Sequence, residues 1–159
     1  MSLNTGATLL APEIKGAKAL VTGASSGLGM HFAHLLARHG AHVIVAARRL
    51  DRIEALASEI IDQGGAATAL EMDVASAGSI EAALAGVALD IVVNNAGTTR
   101  SASALDHAPS DLDAILNTNL KGVYYVAQAA AKGMIAREKG GSIINVASIL
   151  GSRVAGHAA

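Results

Sequence analysis

The stretch Thr22-Gly23-Ala24-Ser25-Ser26-Gly27-Leu28-Gly29 determines how the rest of this chain is interpreted. It follows a short apolar run, 17–21, and it opens an amphipathic segment, 31–39. A glycine-rich turn between a buried strand and a helix offers backbone N–H groups and a helix N-terminus to a phosphate group. The spacing G-x-x-x-G-x-G differs from the G-x-G-x-x-G fingerprint and from the P-loop pattern G-x-x-x-x-G-K-[ST]. The turn therefore predicts a phosphate-binding site whose type depends on the sequence around it.

Composition restricts the class of protein. The 159 residues are 52% hydrophobic and 16% charged, which supplies enough apolar material for the core of one domain. A net charge of −1 predicts no electrostatic attraction to nucleic acid or to an anionic membrane. The absence of Cys from the sequence excludes disulfides and thiolate chemistry. Because the sequence shows neither a signal-peptide pattern nor an apolar run of membrane-spanning length, we expect a cytoplasmic protein.

Apolar periodicity predicts an alternation of strands and helices. Strands are predicted for five short apolar runs, namely 18–22, 42–47, 66–72, 90–93 and 142–147. A helix is predicted after each of the first four strands. Strands that alternate with helices form a parallel sheet with right-handed crossovers and helices on both faces. The sequence therefore predicts a doubly wound α/β fold of three layers, α/β/α.

Finer features of the helices are also predicted. We expect Leu28 and Phe32 near the buried face of the first helix, and Ile61 among the buried positions of the second. The spacing Ser110-x-x-Asp113 is that of a capping box and predicts the start of a long helix. That helix is expected to continue to about Lys139.

A polar or glycine feature follows every predicted strand. These features are the glycine turn, Arg48, Asp73, the run Asn94-Asn95-Ala96-Gly97, and Ser148. The carboxyl ends of parallel strands share one edge of a sheet, and doubly wound sheets bind their ligands outside that edge. We therefore expect these features to form one site.

Four motifs occur in a characteristic order: Thr22-Gly23-x-x-x-Gly27-x-Gly29, Asn94-Asn95-Ala96-Gly97, Asn119-Leu120-Lys121-Gly122 and Ile143-Ile144-Asn145-Val146-Ala147-Ser148. From about Ile14 to the last residue, the chain resembles the classical short-chain dehydrogenase/reductase family. The resemblance implies a Rossmann-type fold with strand order 3-2-1-4-5 in the part present. It further implies a leader over 1–16 and an NAD(P)-binding domain over 17–159 that is incomplete at its C-terminus. It also implies an oxidoreductase that interconverts a small-molecule carbonyl and an alcohol by hydride transfer.

The resemblance assigns the cofactor-binding residues: Gly23, Ser25, Ser26, Gly27, Leu28, Gly29, Arg48, Arg49, Asp73, Val74, Asn95, Ala96 and Gly97. Among them, Asp73 and Val74 resemble the pair that contacts adenine, and 95–97 resembles the wall beside the nicotinamide ribose. Asn94 is expected instead to bridge backbone groups at the strand ends.

Two arginines after the second strand bear on the choice of cofactor. An acidic residue there would bind a ribose 2′-hydroxyl, whereas arginine suits a 2′-phosphate. Ala47 stands where the acidic residue would lie, so Arg48 and Arg49 favour NADP(H) over NAD(H). The alternative is a solvated basic pair, which is unfavourable at a helix start unless an anion is present.

The resemblance also implies a catalytic group. Ser148 matches the catalytic serine, which donates a hydrogen bond to the substrate oxygen. Asn119 matches an asparagine that is associated with a helix irregularity and with a water of the proton relay. Asn is unfavourable inside a helix, which supports a functional role. Asn117 competes for this assignment, and a helix-surface amide is the structural alternative.

The general acid of the family, a Tyr in Tyr-x-x-x-Lys, follows the serine, and the sequence stops at Ala159 before that position. We therefore expect a truncated chain. A non-catalytic dinucleotide-binding fragment or regulatory relative is the competing interpretation. His31 and His34 lie one helical turn apart without a third ligand, so no metal site is predicted. The spacing gives His157 no role.

The predicted long helix also bears on assembly. Its apolar positions extend to more than one side, and the matching helix of the family packs across a subunit interface. We expect a homo-oligomer, a dimer or a tetramer; the alternative is burial of the helix within one subunit.

Overall fold

A computed structural model of the chain describes residues 14–103 and 105–149. The elements, in chain order, are β1 (Lys18–Thr22), α1 (Gly27–Arg38), β2 (His42–Ala47), α2 (Leu50–Asp62), β3 (Ala66–Glu71), α3 (Ala77–Leu84), β4 (Ile91–Asn94), α4 (Pro109–Leu116), a π-helical turn (Asn117–Gly122, the π turn), α5 (Val123–Ala136) and β5 (Ser142–Asn145). The predicted leader falls outside the described residues except for its last three residues, 14–16.

The five strands form one parallel sheet in the order β3-β2-β1-β4-β5. Val21 in β1 stands beside Val45 in β2 and Val93 in β4. Parallel neighbours require crossover connections, which α1, α2, α3 and the α4–α5 segment supply. The sheet order and the parallel arrangement predicted from the sequence are confirmed.

Two buried clusters cover opposite faces of the sheet. Alternate residues of a strand point to opposite faces, so Val21 and Val45 pack with α1 and α2, whereas Leu20 and Ile44 pack with α3 and α5. Helices on both faces explain why these strands are continuous apolar runs rather than alternating ones. The three-layer α/β/α architecture is confirmed.

The buried face of α1 is built from small residues. Gly29, Ala33 and Ala37 are buried at a spacing of four residues, while the Leu28 side chain is 61% exposed. Phe32 packs only at the margin of the cluster. In α2, Ile61 is likewise 52% exposed. The predicted burial of Leu28 and Ile61 is therefore wrong. In α1, small side chains bring the helix close to the sheet and leave larger ones such as Leu28 outside.

The long helix differs from its prediction in two respects. It begins at Pro109 after Ala108, not at a capping box formed by 110–113, and Ala108 contributes no side-chain cap. Proline suits the first helical position because its missing N–H would have no partner there. The helix is also interrupted by the π turn before α5 begins. The expected helix irregularity is thus present.

Candidate functional site

The glycine turn presses against the end of β4. Gly23 has a φ of +66°, and a Cβ there would lie 2.7 Å from the Cα of Ala96. A Cβ at Gly29 would collide with the carbonyl oxygen of Gly23. At Gly27, with a φ of +58°, a Cβ would meet no atom within 4 Å. Two of the glycines therefore permit close packing, and the third leaves open space at the start of α1.

The N-terminus of α1 faces that open space. Its N-cap, Ser26, makes no side-chain capping hydrogen bond, and the first turn carries no acidic residue. The first N–H groups of a helix lack intrahelical partners and carry the positive end of the helix dipole. This arrangement suits a phosphate group.

Thr22 fixes the ends of β1 and β4 to each other. Its hydroxyl accepts hydrogen bonds from the backbone N–H of Asn95, at 3.1 Å, and of Ala96, at 3.0 Å. The Asn95 side chain returns a hydrogen bond of 3.0 Å to the carbonyl oxygen of Thr22. Sequence reasoning did not assign this role to Thr22, although a hydroxyl at the last position of a buried strand is the kind of signal that indicates it.

Asn94 connects β4 to its other neighbours. The residue is 2% exposed, and its Nδ2 donates to Asn145 Oδ1 in β5 at 2.9 Å and to the carbonyl oxygen of Val123 at 3.5 Å. It bridges groups at the strand ends, as the sequence predicts. The π turn, which ends just before Val123, is thereby tied to the central sheet.

The two arginines after β2 are placed differently. Arg49 Nη2 donates to Ser25 Oγ of the glycine turn at 2.8 Å. Arg48 is exposed and lines two clefts, in the second of which it lies near Glu71 and Asp73. Both arginines stand at the N-terminus of α2, where positive charge is unfavourable, and Asp51 in the first turn offsets only part of it. The carboxyl edge of β2 therefore fits a ligand that carries negative charge.

A cleft of about 410 Å³ brings most of the predicted cofactor residues together at the carboxyl edge of the sheet. Those that line it are Gly23, Ser25, Ser26, Arg48, Arg49, Asp73, Val74, Asn95, Ala96 and Gly97. Gly27, Leu28 and Gly29 are not among the lining residues. Eight other residues line the cleft: Ala47, Met72, Ala75, Thr98, Arg100, Ala114, Asn117 and Thr118. Sequence reasoning assigned none of them to cofactor binding. Thr98 and Arg100 lie in a loop and Asn117 and Thr118 at a helix interruption, where periodicity gives no signal.

Asp73 is held by the loop that joins β3 to α3. Its Oδ1 accepts a hydrogen bond from the N–H of Ala75 at 3.0 Å, and its own N–H donates to Ser79 Oγ at 3.0 Å. Ser76, not Asp73, caps α3 by accepting from the N–H of Ser79. These bonds fix both Asp73 and Val74 at the edge of the cleft.

Asn119 in the π turn binds the backbone of the loop after β4. Its Oδ1 accepts from the N–H of Thr98 and its Nδ2 donates to the carbonyl oxygen of Thr98, both at 2.8 Å. Asn117 instead accepts from Lys121 Nζ within the turn at 3.0 Å. The two asparagines are thus placed differently: Asn119 binds the loop after β4, whereas Asn117 lines the cleft.

Ser148 lies three residues beyond β5 and is exposed. Neither it nor Asn119 lines the cleft. His157 lies outside the described residues. Within 14–103 and 105–149, no group of His, Asp and Glu side chains is arranged to hold a metal ion. None of the helices described is long and apolar enough to cross a membrane.

The fold and the motif order place the chain among doubly wound α/β proteins that have a glycine turn at the first strand. The family model described as short chain dehydrogenase matches residues 17–159, so the chain belongs to the short-chain dehydrogenase family.

Individual relatives agree with this assignment. Oxidoreductase UcpA of Salmonella typhimurium is 40% identical over 148 residues, which are 90% of this chain and 56% of that protein. A gluconate 5-dehydrogenase from Burkholderia cenocepacia J2315, solved in complex with NADP and tartrate, shares 37% identity and a TM-score of 0.85, and the match covers 91% of this chain and 58% of that one. A metagenomic short-chain oxidoreductase in complex with NADP shares 34% identity and a TM-score of 0.85, covering 91% and 68%. The chain spans a little more than half the length of the curated relatives that it matches.

Proposed function

We propose that residues 17–159 are the dinucleotide-binding domain of an NADP(H)-dependent oxidoreductase that interconverts a small-molecule carbonyl and an alcohol. The cleft at the carboxyl edge of the sheet carries this proposal. It joins the glycine turn, the two arginines after β2 and the wall formed by 95–97. When bound, the cofactor supplies or accepts the hydride.

The residues around the cleft fit the parts of a phosphorylated dinucleotide. The open space at Gly27 and the N-terminus of α1 suit the pyrophosphate, with Ser25 and Ser26 as further donors. Asp73 and Val74 form the adenine side, and 95–97 forms the nicotinamide side. Leu28 and Gly29 contribute through the backbone of the first helical turn.

The preference for NADP(H) rests on Arg48 and Arg49. A guanidinium binds a phosphate through two hydrogen bonds at once, and a phosphate offsets the unfavourable position of both cations at the start of α2. Ala47 presents no carboxylate to a 2′-hydroxyl. The NADP complexes of two proteins with this fold support the same choice.

For the chemical step, we assign Ser148 as the donor of a hydrogen bond to the substrate oxygen, where negative charge develops. The Asn119 side chain is occupied by Thr98, so its role is to hold the loop beside the cleft. Neither tyrosine of the sequence is followed by Lys at the fourth position, because Gln128 and Ala129 stand there. The 159-residue chain is therefore expected to bind cofactor without turning over a carbonyl.

Titration of the chain with NADPH and with NADH, followed by cofactor fluorescence, tests the proposal. We expect saturable binding of both and tighter binding of NADPH. Absence of binding would refute the dinucleotide site, and equal or tighter binding of NADH would refute the argument from Arg48.

A second candidate function is that of a non-catalytic dinucleotide-binding fragment or regulatory relative, which would use the same cleft. The coding length of the gene and NADPH oxidation against a panel of ketones and aldehydes separate the two. A longer gene product that contains Tyr-x-x-x-Lys and oxidises NADPH supports the enzyme. A product that ends at Ala159, binds NADPH and oxidises none supports the second candidate.

We also propose that the protein assembles as a homo-oligomer through α4, the π turn and α5. This segment exposes Leu112, Leu120 and Tyr124, each by more than half. Several large apolar side chains exposed on one helical segment are typical of an interaction surface. Light scattering of the gene product should give at least twice the mass of the chain, and a monomer would contradict the proposal.

A further inference from the structure

The π turn touches the loops that follow two different strands. Gly122, at its end, packs against Val74 after β3, and Asn119, at its centre, binds Thr98 after β4. Val74 and Thr98 both line the cleft. One short segment therefore contacts two separate parts of the cleft wall.

Gly122 is a glycine because of close packing rather than backbone conformation. Its φ of −59° and ψ of −47° are ordinary helical values that any residue adopts. The residue is buried, and a Cβ would lie 2.7 Å from the carbonyl oxygen of Val74 and 3.1 Å from its Cβ. An alanine at this position would therefore force the π turn and the β3 loop apart.

Asn119 holds the other contact through two hydrogen bonds of 2.8 Å, which imitate a backbone pair in a sheet. A Cβ at the neighbouring Gly97 would lie 3.6 Å from Asn119 Oδ1, in ordinary contact. The loop after β4 thus rests on the Asn119 side chain. π-helical turns are rare and occur frequently at functional sites.

We propose that the π turn is a spacer, with Gly122 as its positioning residue. It sets the distance between the adenine wall at Val74 and the nicotinamide wall, 95–97, which it holds through the adjoining Thr98. The inference rests on the proposed binding of a dinucleotide. The two halves of such a ligand are joined, so binding of the second half depends on the spacing of its subsite from the first. A compound that occupies only the adenine side does not sense that spacing.

The test compares Gly122→Ala with Gly133→Ala. Gly133 lies in α5 of the same helical segment, and a Cβ there would lie 3.9 Å from the carbonyl oxygen of Val87, which is ordinary contact. Calorimetry gives the dissociation constants of NADPH and of adenosine 2′,5′-bisphosphate. For Gly122→Ala we expect NADPH to bind on the order of tenfold more weakly, while the dissociation constant of the bisphosphate stays within about twofold of its wild-type value. Gly133→Ala should change neither constant. Equal weakening of both ligands, or of neither, overturns the spacer.

A second measurement requires no ligand. Hydrogen exchange at the amide of Thr98 reports its bond to Asn119 and should accelerate in Gly122→Ala but not in Gly133→Ala. Unchanged exchange at Thr98 contradicts the spacer. If the wild-type chain binds no NADPH, the proposed function fails, and the exchange result alone decides whether Gly122 governs this contact. If Gly122→Ala does not fold, Asn119→Ala breaks the other contact. It should likewise weaken NADPH binding while leaving bisphosphate binding nearly unchanged.

Discussion

The two edges of the sheet differ in how some of their polar groups are used. At the amino edge, Arg137 donates to Asp90, to the carbonyl oxygen of Leu89 and to that of Gly133, and Asp90 also accepts from the N–H of Lys18 at 2.9 Å. At the carboxyl edge, Arg48 is exposed beside a cleft and the first turn of α1 has no side-chain cap at Ser26. Polar groups that bind one another stabilise the fold, whereas polar groups that face a cleft suit a ligand.

The largest change in the free energy of unfolding is expected from a substitution that disturbs packing at the carboxyl edge. Gly29→Ala places a Cβ against the carbonyl oxygen of Gly23 and 2.6 Å from Asn95 Nδ2, in the buried contact between α1 and the end of β4. We expect a loss of about 3 kcal/mol in the free energy of unfolding, measured by chemical denaturation. Gly78→Ala in α3, where a Cβ would meet no atom within 4 Å, is the control and should be neutral or slightly stabilising. Similar stability of the two variants would contradict the packing role of Gly29.

The glycine turn shows how far the sequence predicts the site. Its position and the three layers follow from apolar runs and motif spacing, which are local signals, whereas the sheet order is predicted from the family resemblance. The exposure of Leu28 could not be predicted from these signals. Apolar periodicity gives weight to large side chains, whereas α1 buries Gly29, Ala33 and Ala37. Thr98 and Arg100 reach the cleft from a loop, where only tertiary structure decides which side chains converge.

The second prediction tests the ligand-facing character of Arg48. Arg48→Asp replaces a cation beside the cleft with an anion and should weaken NADPH binding by on the order of a hundredfold, because charge-assisted bonds to phosphate are replaced by repulsion. NADH, which lacks the 2′-phosphate, should lose much less. The free energy of unfolding should change by less than about 0.5 kcal/mol, since the side chain is exposed. Fluorescence titration and denaturation of the same variant measure both quantities.

Arg48→Met provides the matched control, because it removes the charge without reversing it. An intermediate loss of NADPH affinity is expected. If Arg48→Asp weakens NADPH and NADH to the same extent, the residue does not contact the 2′-phosphate, and the contrast between the edges would rest on Arg49 and the α1 N-terminus.

At the amino edge we expect the opposite result, a loss of stability without a loss of cofactor affinity. Arg137→Met removes the donor that joins α5 to β4 and leaves the Asp90 carboxylate and two carbonyl oxygens without it. We expect unfolding to become easier by about 2 kcal/mol, because the lost bonds are only partly exposed to water. NADPH affinity of the folded protein should be unchanged. Lys139→Met removes a nearby cation that acts on Asp90 through its charge and should have a much smaller effect. Equal effects of the two substitutions would mean that charge alone, and not the bonds of Arg137, stabilises this edge.

The smallest effect concerns pH. The hydrogen bond from the Lys18 N–H lowers the pKa of Asp90, with Arg137 adding to the shift and partial burial opposing it. A carboxyl whose pKa is lower in the folded state stabilises the protein above its unfolded pKa, and this contribution is lost as the pH falls through the folded pKa.

Stability measured by denaturation from pH 6 down to pH 3 should therefore decline in wild type, with Asp90 contributing less than about 1 kcal/mol because solvent screens the pair. Asp90→Asn, which keeps an oxygen for the Lys18 N–H, should decline less steeply, whereas Asp106→Asn in the exposed loop should follow wild type. At each pH, folded wild type and folded Asp90→Asn should have the same ratio of NADPH to NADH affinity, since the amino edge holds the sheet without touching the cleft. A change in that ratio caused by Asp90→Asn would show that the two edges are coupled through β4.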